Sequence, residues 1–426
     1  MKTISIIVAA SALFMAAAAS AQQVTRIPAG DRALTGTPTA QFSVGAEDGE
    51  DWELLSRVAG AVFDARDNLY VLDAGNNRVL VFDATGKFVR QVGKKGGGPG
   101  ELLSPVGIAV TRDGYIAVTD LGRPGVSLFK ADGSFVKNLM LGDSLGFPSP
   151  QGGTVAHPTA GVVVRSLPLM MRAPAGDGGA FGGPTGPRKS PITWITADEK
   201  TAKLFAIELP SITPKVDDSG SGSGSRNVSV RISQPAFTPP TLWGVLPNGS
   251  VAVADEADYR IKIAGNGKVE RVIERAIPAR KVSEQDKNKA RDLRRKAMKT
   301  GSGMIVATRT DGPGGGSSHI GTGGGAPRIS DANIEQQIRE MTFLDRVPVL
   351  QRMLVDPKGR LWIERAGKQV GDTGPIDIVD SAGKYVGTLN GKLPDAISAT
   401  GRAAYVEKGD LDVEKVVVRK LPANWL

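Results

Sequence analysis

Residues 62–105 read VFDARDNLYVLDAGNNRVLVFDATGKFVRQVGKKGGGPGELLSP. Short β-branched runs alternate here with turn chemistry, so that Leu69–Asp73, Arg78–Phe82 and Phe88–Val92 read as strands, with Val58–Phe63 as a strand before them. The same grammar returns 47 positions later: Val71, Asp73, Gly75, Val79, Phe82, Ala84, Gly86, Phe88 and Val89 recur without a gap as Val118, Asp120, Gly122, Val126, Phe129, Ala131, Gly133, Phe135 and Val136. Four short strands repeating every ~40–50 residues are the signature of a β-propeller. Size agrees with this, because 426 residues exceed the roughly 250–300 over which a single core grows. A toroid escapes that ceiling, since each blade packs only against its neighbours.

The second blade takes Gly107–Val110, Tyr115–Asp120, Gly125–Phe129 and Phe135–Leu139. Between the two blades lies GKKGGGPGEL from Gly93, whose glycines supply positive φ for a close crossing. In motif form the region is G-x-x-G-x-GPGE, then P-x-G-I-A-V, then DG-x-I-x-V-x-D, with Asp73 to Arg78 as D-x-x-N-x-R. This resembles the NHL-type repeats of exported six-bladed propellers, closely over about residues 57–141 and more loosely beyond. The resemblance implies a six-bladed ring that works through its central funnel and rim loops, in a group most of whose members have no assigned activity.

Downstream, a degraded third blade keeps Gly161–Arg165, Ile192–Thr196 and Lys203–Leu209, with Gly/Pro-rich residues 166–190 inside it. The stretch from about 210 to 234, carrying Ser219 to Ser225 as a Ser/Gly repeat, reads as a flexible loop. Blade 4 restores the pattern from Thr241 and places Asp255 and Arg260 where blade 1 has Asp73 and Arg78. An insertion of about residues 279–345 follows. It contains a basic helix that opens at Ser283 with Asp286 three residues on, a Gly-rich loop over 301–327, and a second helix from Ser330 or Asp331. In that second helix Ile334, Ile338 and Met341 form an apolar stripe expected to pack onto the body. Blade 5 is Gln351–Val355, Arg360–Glu364, Ile376–Asp380 and Tyr385–Leu389. Blade 6 has only Ala396–Thr400, Ala403–Glu407 and Glu414–Leu421, and Ala40–Val44 is expected to fill its vacancy and close the ring. The fold class is therefore all-β: a six-bladed propeller with a helical and Gly-rich insertion between blades 4 and 5, closed by an N-terminal strand.

Lys2, the apolar run Ile4 to Ala19 and Ala19-Ser20-Ala21 have the form of a cleavable secretory signal over residues 1–21, leaving 22–426 as one propeller domain. That apolar run is short for a membrane span, and no second candidate follows it. With no cysteine, a disulfide framework and a lipid-bearing cysteine are both excluded. The product is expected to be periplasmic or secreted, and a monomer. The full chain's net charge of +9 favours acidic partners.

Cysteine nucleophiles are ruled out, and the only two histidines, His157 and His319, cannot make a three-histidine zinc site. This excludes what the resemblance to amidating lyases would imply, zinc held by several histidines. Neither a G-x-S-x-G elbow nor a P-loop occurs. Asp73, Asp120 and Asp255 each end a second strand and reach equivalent heights on one face. They could converge on a cation, for which Ca²⁺ is the natural choice, or each could cap its own turn. Arg78, Arg123 and Arg260 follow them as rim candidates for a carboxylate or phosphate. The aromatics Trp243, Tyr259 and Trp362 are candidates for stacking on a ligand; Trp362 lies on a strand and is expected in the core, while Tyr259 follows Asp258 in a turn and is expected to be exposed. Arg291, Arg294 and Arg295 on the basic helix could dock an anionic polymer. Export disfavours nucleic acid in that role. No cofactor is assigned. The expected function is recognition of a protein, peptide or glycan through rim loops and funnel, as loops on a rigid scaffold suit. The alternative is a metal-assisted lyase or lactonase-type hydrolase using funnel carboxylates such as Asp73, Asp120, Asp255 and Glu364.

Overall fold

A computed structural model describes residues 23–123, 125–140, 147–149, 153–167, 188–209, 214–220, 226–232, 234–299, 305–310, 317–322, 330–409 and 413–426. The signal expected over residues 1–21 and most of the 166–190 loop lie outside these.

Six radial sheets surround a common axis. Blade 1 is Val58–Phe63, Leu69–Asp73, Arg78–Phe82 and Phe88–Val92, and blade 2 is Pro105–Val110, Tyr115–Asp120, Gly125–Lys130 and Phe135–Met140. Blade 3 gains an inner strand that composition had hidden, Thr154–Ala156, before Val162–Leu167, Arg188–Ile195 and Thr201–Leu209. Blade 4 is Leu242–Val245, Val251–Ala254, Arg260–Gly265 and Lys268–Arg275, while blade 5 is Leu350–Val355, Leu361–Arg365, Ile376–Val379 and Tyr385–Leu389. Blade 6 is Ala396–Ile397, Arg402–Lys408 and Glu414–Lys420, completed by Thr39–Val44 as its outermost strand. Phe42 pairs with Val418 and Val44 with Val416, as ring closure requires.

Equivalence of the six sheets is visible in one hydrogen bond. The turn from inner to second strand is closed by an N–H donating to the carbonyl four residues on, from Asp64 to Asn68, Thr111 to Tyr115, His157 to Gly161, Leu246 to Ser250, Asp356 to Arg360 and Ser398 to Arg402. Each seam between blades has its own apolar cluster. Leu72, Val79 and Ile108 fill the first, Ala117, Leu128 and Val164 the second, and Val163, Ile192 and Trp243 the third. Tyr259, Ile261 and Ile363 fill the fourth, Trp362, Ile378 and Tyr405 the fifth, and Leu69, Phe82 and Val418 the last. Core growth by seam is what allows this length of chain to bury its apolar residues. The inner strands crowd the axis: a Cβ on Gly244 would lie 2.4 Å from Val355 Cγ2, so only glycine fits there.

Ahead of the closing strand, the N-terminal segment runs as a belt around the rim. Gln23–Ile27 adds a fifth, parallel strand to the outer edge of blade 4. Residues 32–34 then bond the Thr388 backbone on blade 5, and Thr39–Val44 joins blade 6. Three otherwise open sheet edges are thereby covered.

The insertion carries helix α1, Glu284–Lys299, and helix α2, Asp331–Arg339. Ser283 and Asp286 form a reciprocal box: the Ser283 Oγ accepts from the Asp286 N–H at 3.2 Å, and the Asp286 carboxylate accepts from the Ser283 N–H at 2.9 Å. Ser330 caps α2 by accepting from the Asn333 N–H. The α2 stripe does not pack onto the propeller body as expected. Ile334 and Ile338 close with Met298 of α1, with Met341 against them, so the two helices bury each other's apolar faces.

Two other expectations are corrected. The stretches 210–234 and 301–327 are not loops throughout. Pro214–Gly220, Arg226–Ile232, Ile305–Thr310 and Ser317–Thr322 pair into a seventh, four-stranded sheet outside the ring. Alternating Val228, Val230 and Ile232 favours a strand there despite the Ser/Gly-rich flank. Among the described residues, no helix is long and apolar enough to cross a membrane.

Candidate functional site

The upper face carries the connections into each inner strand and the turns between second and third strands. Five residues past each closed turn, the ring places Asp73, Asp120, Ser166, Asp255, Arg365 and Glu407 at one height. The three recurring aspartates do reach that height, but each is engaged locally. Asp73, fully buried, accepts from the Ser56 N–H at 3.1 Å and from Asn76 Nδ2 at 2.8 Å, and pairs with Arg78 Nε at 3.0 Å. Asp120 accepts from the N–H groups of Leu103, Ser104 and Gly122 at 2.7, 2.8 and 2.8 Å. Gly75 and Gly122 recur with them because a Cβ would meet Ser56 Oγ at 2.3 Å and Leu103 Cβ at 2.5 Å. The repeated D-x-G is thus a clasp on the segment leading into the inner strand. Asp255 pairs with Lys262 at 2.8 Å. Among the described residues, no three His, Asp or Glu side chains gather as a metal would need.

The rim cations are also engaged. Arg78, 4% exposed, donates to Asp73, the Asp51 carboxylate and the carbonyls of Asp51 and Leu54. Arg123 donates to the carbonyls of Gly97 and Gly98. Arg260 lies 3.6 Å from Glu256 and 3.5 Å from Glu274. Tyr259, expected to be exposed, is 2% exposed in the seam between blades 4 and 5, and burial raises its pKa. Sequence position in a turn misled here, because the ring seals that turn against blade 5. Trp362 is core, as its strand position indicated. His157 stacks on Trp194 with centroids 4.4 Å apart. On α1, Arg295 is held by Glu335 at 2.7 Å and Asp292 at 2.7 Å, and Arg291 lies over the Phe343 ring at 4.9 Å. Arg294 is exposed and has no carboxylate partner among the described residues.

The open space lies beside these candidates, where α1 meets blade 5. The turn from second to third strand in blade 5 takes ten residues, 366–375, where blade 1 uses four, 74–77. It leans on α1: a Cβ on Gly371 would sit 3.0 Å from Leu293 Cδ1. Two hollows flank it. One of about 260 Å³ lies between α1 and the turn, lined by Arg280, Asp286, Lys289 and Lys368. The other, of about 750 Å³, lies between the turn and residues 390–392, with Asp31, Lys368, Asp372 and Lys392 on its walls. Lys368 lines both, so it stands between the two hollows. Arg280 is neutralised by Asp286 at 2.6 and 2.8 Å, which holds the Asp286 carboxyl well below the usual range. Asp31 is likewise held by Arg275 and Arg365, each at 2.7 Å. Lys289 and Lys368 are exposed and have no carboxylate in pairing range among the described residues, so with Lys392 they outnumber Asp372, the one lining carboxylate not held by an arginine. The sequence signal for this site was the length of the blade-5 turn.

Beside the groove wall, Glu364 is the penultimate residue of the second strand of blade 5, 7% exposed, opposite Arg352 on the inner strand at 3.7 Å. Burial raises its pKa, a shift that Arg352, the Gly374 N–H and Lys392 oppose but do not cancel. A carboxyl with a raised folded pKa costs stability once pH exceeds that pKa, and the cost disappears as pH falls below the unfolded value of about 4.3. Glu364 Oε2 is buried and accepts no hydrogen bond among the described residues, so Glu364→Gln is expected to stabilise the protein by ~1 kcal/mol at neutral pH, the scale of one such acceptor. The gain should vanish near pH 4 in urea titrations across pH. Equal stability of the two proteins at pH 7 would refute the assignment.

Comparison with known proteins agrees with the fold. Residues 53–149 match a family model described as a 6-bladed beta-propeller. The Homo sapiens E3 ubiquitin-protein ligase NHLRC1 is 29% identical over 137 residues, which are 30% of this chain and 33% of that protein. The Caenorhabditis elegans RING finger protein nhl-1 is 44% identical over 87 residues, 20% of this chain and 8% of its own. The chain thus spans a third or less of these relatives, and the resemblance to NHL-type repeats holds within that shared stretch. A streptogramin B lyase structure superposes with a TM-score of 0.40 at 11% identity, covering 89% of this chain and 97% of the lyase.

Proposed function

We propose that this chain is an exported recognition module that holds an acidic peptide or anionic glycan in the groove between α1 and the long blade-5 turn. The observation that carries this is Lys368. It lines both hollows, with Lys289 on the wall of the smaller one, and neither lysine has a carboxylate partner among the described residues. Elsewhere on the upper face the candidate charges of the described residues are engaged with one another, which favours this reading over the metal-assisted alternative. Export is supported by the apolar run and small-residue site of residues 1–21.

Fluorescein-labelled poly-glutamate, followed by anisotropy, tests the reading. Affinity is expected to fall steeply between about 50 and about 500 mM NaCl. Lys289→Glu/Lys368→Glu is expected to weaken it by roughly tenfold or more. Binding that ignores both salt and the double reversal would overturn the proposal.

A further inference from the structure

Four arginines of the described residues are buried: Arg78, Arg165, Arg275 and Arg360. Three have a carboxylate within 3.0 Å: Asp73 at 3.0 Å, Asp377 at 2.6 Å and Asp356 at 2.7 Å. Arg165, 2% exposed, has none among the described residues. Its guanidinium donates to Ser149 Oγ, while its buried Nε–H reaches no acceptor. A buried charge without a counter-charge is among the costliest arrangements in a fold. Burial alone pulls the Arg165 pKa down to about 10.

The facing blade repeats the deficit. Arg165 lies two residues beyond Val163 and is cross-strand from Ile192, and both of these pack with Trp243 in the seam between blades 3 and 4. Strand alternation therefore turns Arg165 toward blade 4. In blade 4 the ring position equivalent to Arg165 is Ala254, which pairs with Leu242, so Trp243 stands one step along the inner strand at nearly the same level. Trp243 is 8% exposed, and its buried Nε1–H also lacks an acceptor. The Arg165 Nε–H and the Trp243 Nε1–H thus both lack an acceptor among the described residues, and the first belongs to a guanidinium with no carboxylate partner among them.

We infer that the seam between blades 3 and 4 is a binding site for a small carboxylate, held by the guanidinium of Arg165 and the indole N–H of Trp243. The chemistry selects a monoanion with two oxygens. One cation balances one negative charge, and a phosphate would leave oxygens unpaired against apolar Val163 and Ile192. This site is separate from the lysine groove and does not depend on it.

Melting the full chain in acetate, phosphate or chloride at fixed ionic strength tests the site. Acetate is expected to raise Tm saturably, as a ligand of the folded state does, whereas phosphate and chloride should not. Arg165→Met should abolish the acetate response and melt higher than the unaltered protein in chloride, because an apolar side chain of similar length replaces an uncompensated charge. Trp243→Phe keeps the packing and removes the N–H, so it should shift the acetate midpoint to roughly tenfold higher concentration. That variant decides the matter if Arg165→Met does not fold. Identical melts in acetate and chloride, an acetate response that survives in both variants, or a response to phosphate alone would each overturn the inference.

Discussion

Arg275→Met is expected to cost about 3–5 kcal/mol, the scale for removing one partner of a buried ion pair. The Arg275 side chain is fully buried at the end of the outer strand of blade 4 and donates to Asp377 Oδ2 of blade 5 at 2.6 Å. It also bonds the carbonyls of Pro28 at 2.8 Å and Gly30 at 2.9 Å and pairs with Asp31 at 2.7 Å, so one guanidinium ties the N-terminal belt to two blades. Its plane lies 4.7 Å from the centre of the Tyr385 ring. Without it, Asp377, fully buried, would keep Thr388 Oγ1 at 2.5 Å and Arg365 Nε at 3.4 Å. Those contacts offset only part of the loss, because the nearest cation is gone. Urea titration should show a lower midpoint at unchanged slope. Arg275→Met/Asp377→Leu, which removes both charges, should recover most of the loss. A single-variant cost below ~1 kcal/mol, the range of an exposed pair, would mean that the network is solvated.

A chain beginning at Glu47 should lose the cooperative melt altogether. That truncation removes the fifth strand of blade 4, the Arg275 partners on the belt, and the outermost strand of blade 6. Val44 is 4% exposed and Ile27 6% exposed, and each such side chain contributes ~1.5–3 kcal/mol when buried. With the belt contacts of Arg275 lost as well, though its Asp377 partner stays, the total approaches the lower end of the roughly 5–15 kcal/mol that holds a whole domain together. Blade 6 would also present a bare edge, so aggregation should accompany the loss. A synthetic peptide of residues 22–46 added in trans should restore the transition. If the truncated chain melted like the full one, the ring would not depend on this strand.

Periodicity carried the ring. Recurrence of nine residues at a spacing of 47 places matching side chains at matching heights in any structure that stacks the repeats. The three-stranded count of blade 6 likewise predicted that the strand near Phe42 pairs with the one near Val417, as observed. Local chemistry was equally legible at Ser283 and Asp286, whose spacing alone specifies the helix cap. The clasp of Asp73 and Asp120 was one of two open readings, because carboxylates repeating at one height suit either a shared cation or separate turns. Their hydrogen bonds to Ser56, Leu103 and Ser104 decide for the turns.

What pairing with distant segments decides was not legible. Gln23–Ile27 has too little alternation to announce a strand, and it becomes one because blade 4 offers an unpaired edge. Tyr259 sits in a turn that seemed exposed until blade 5 covered it. Arg165 carries no sign in the sequence that it lacks a carboxylate partner among the described residues, since absence of a partner belongs to everything that surrounds a residue. Repeat spacing and local caps are properties of neighbours in sequence, so the sequence by itself determined the propeller, its blade number and its closing strand. Which charges are spent and which are left facing a groove or seam depends on contacts between blades, and only the tertiary structure decides that.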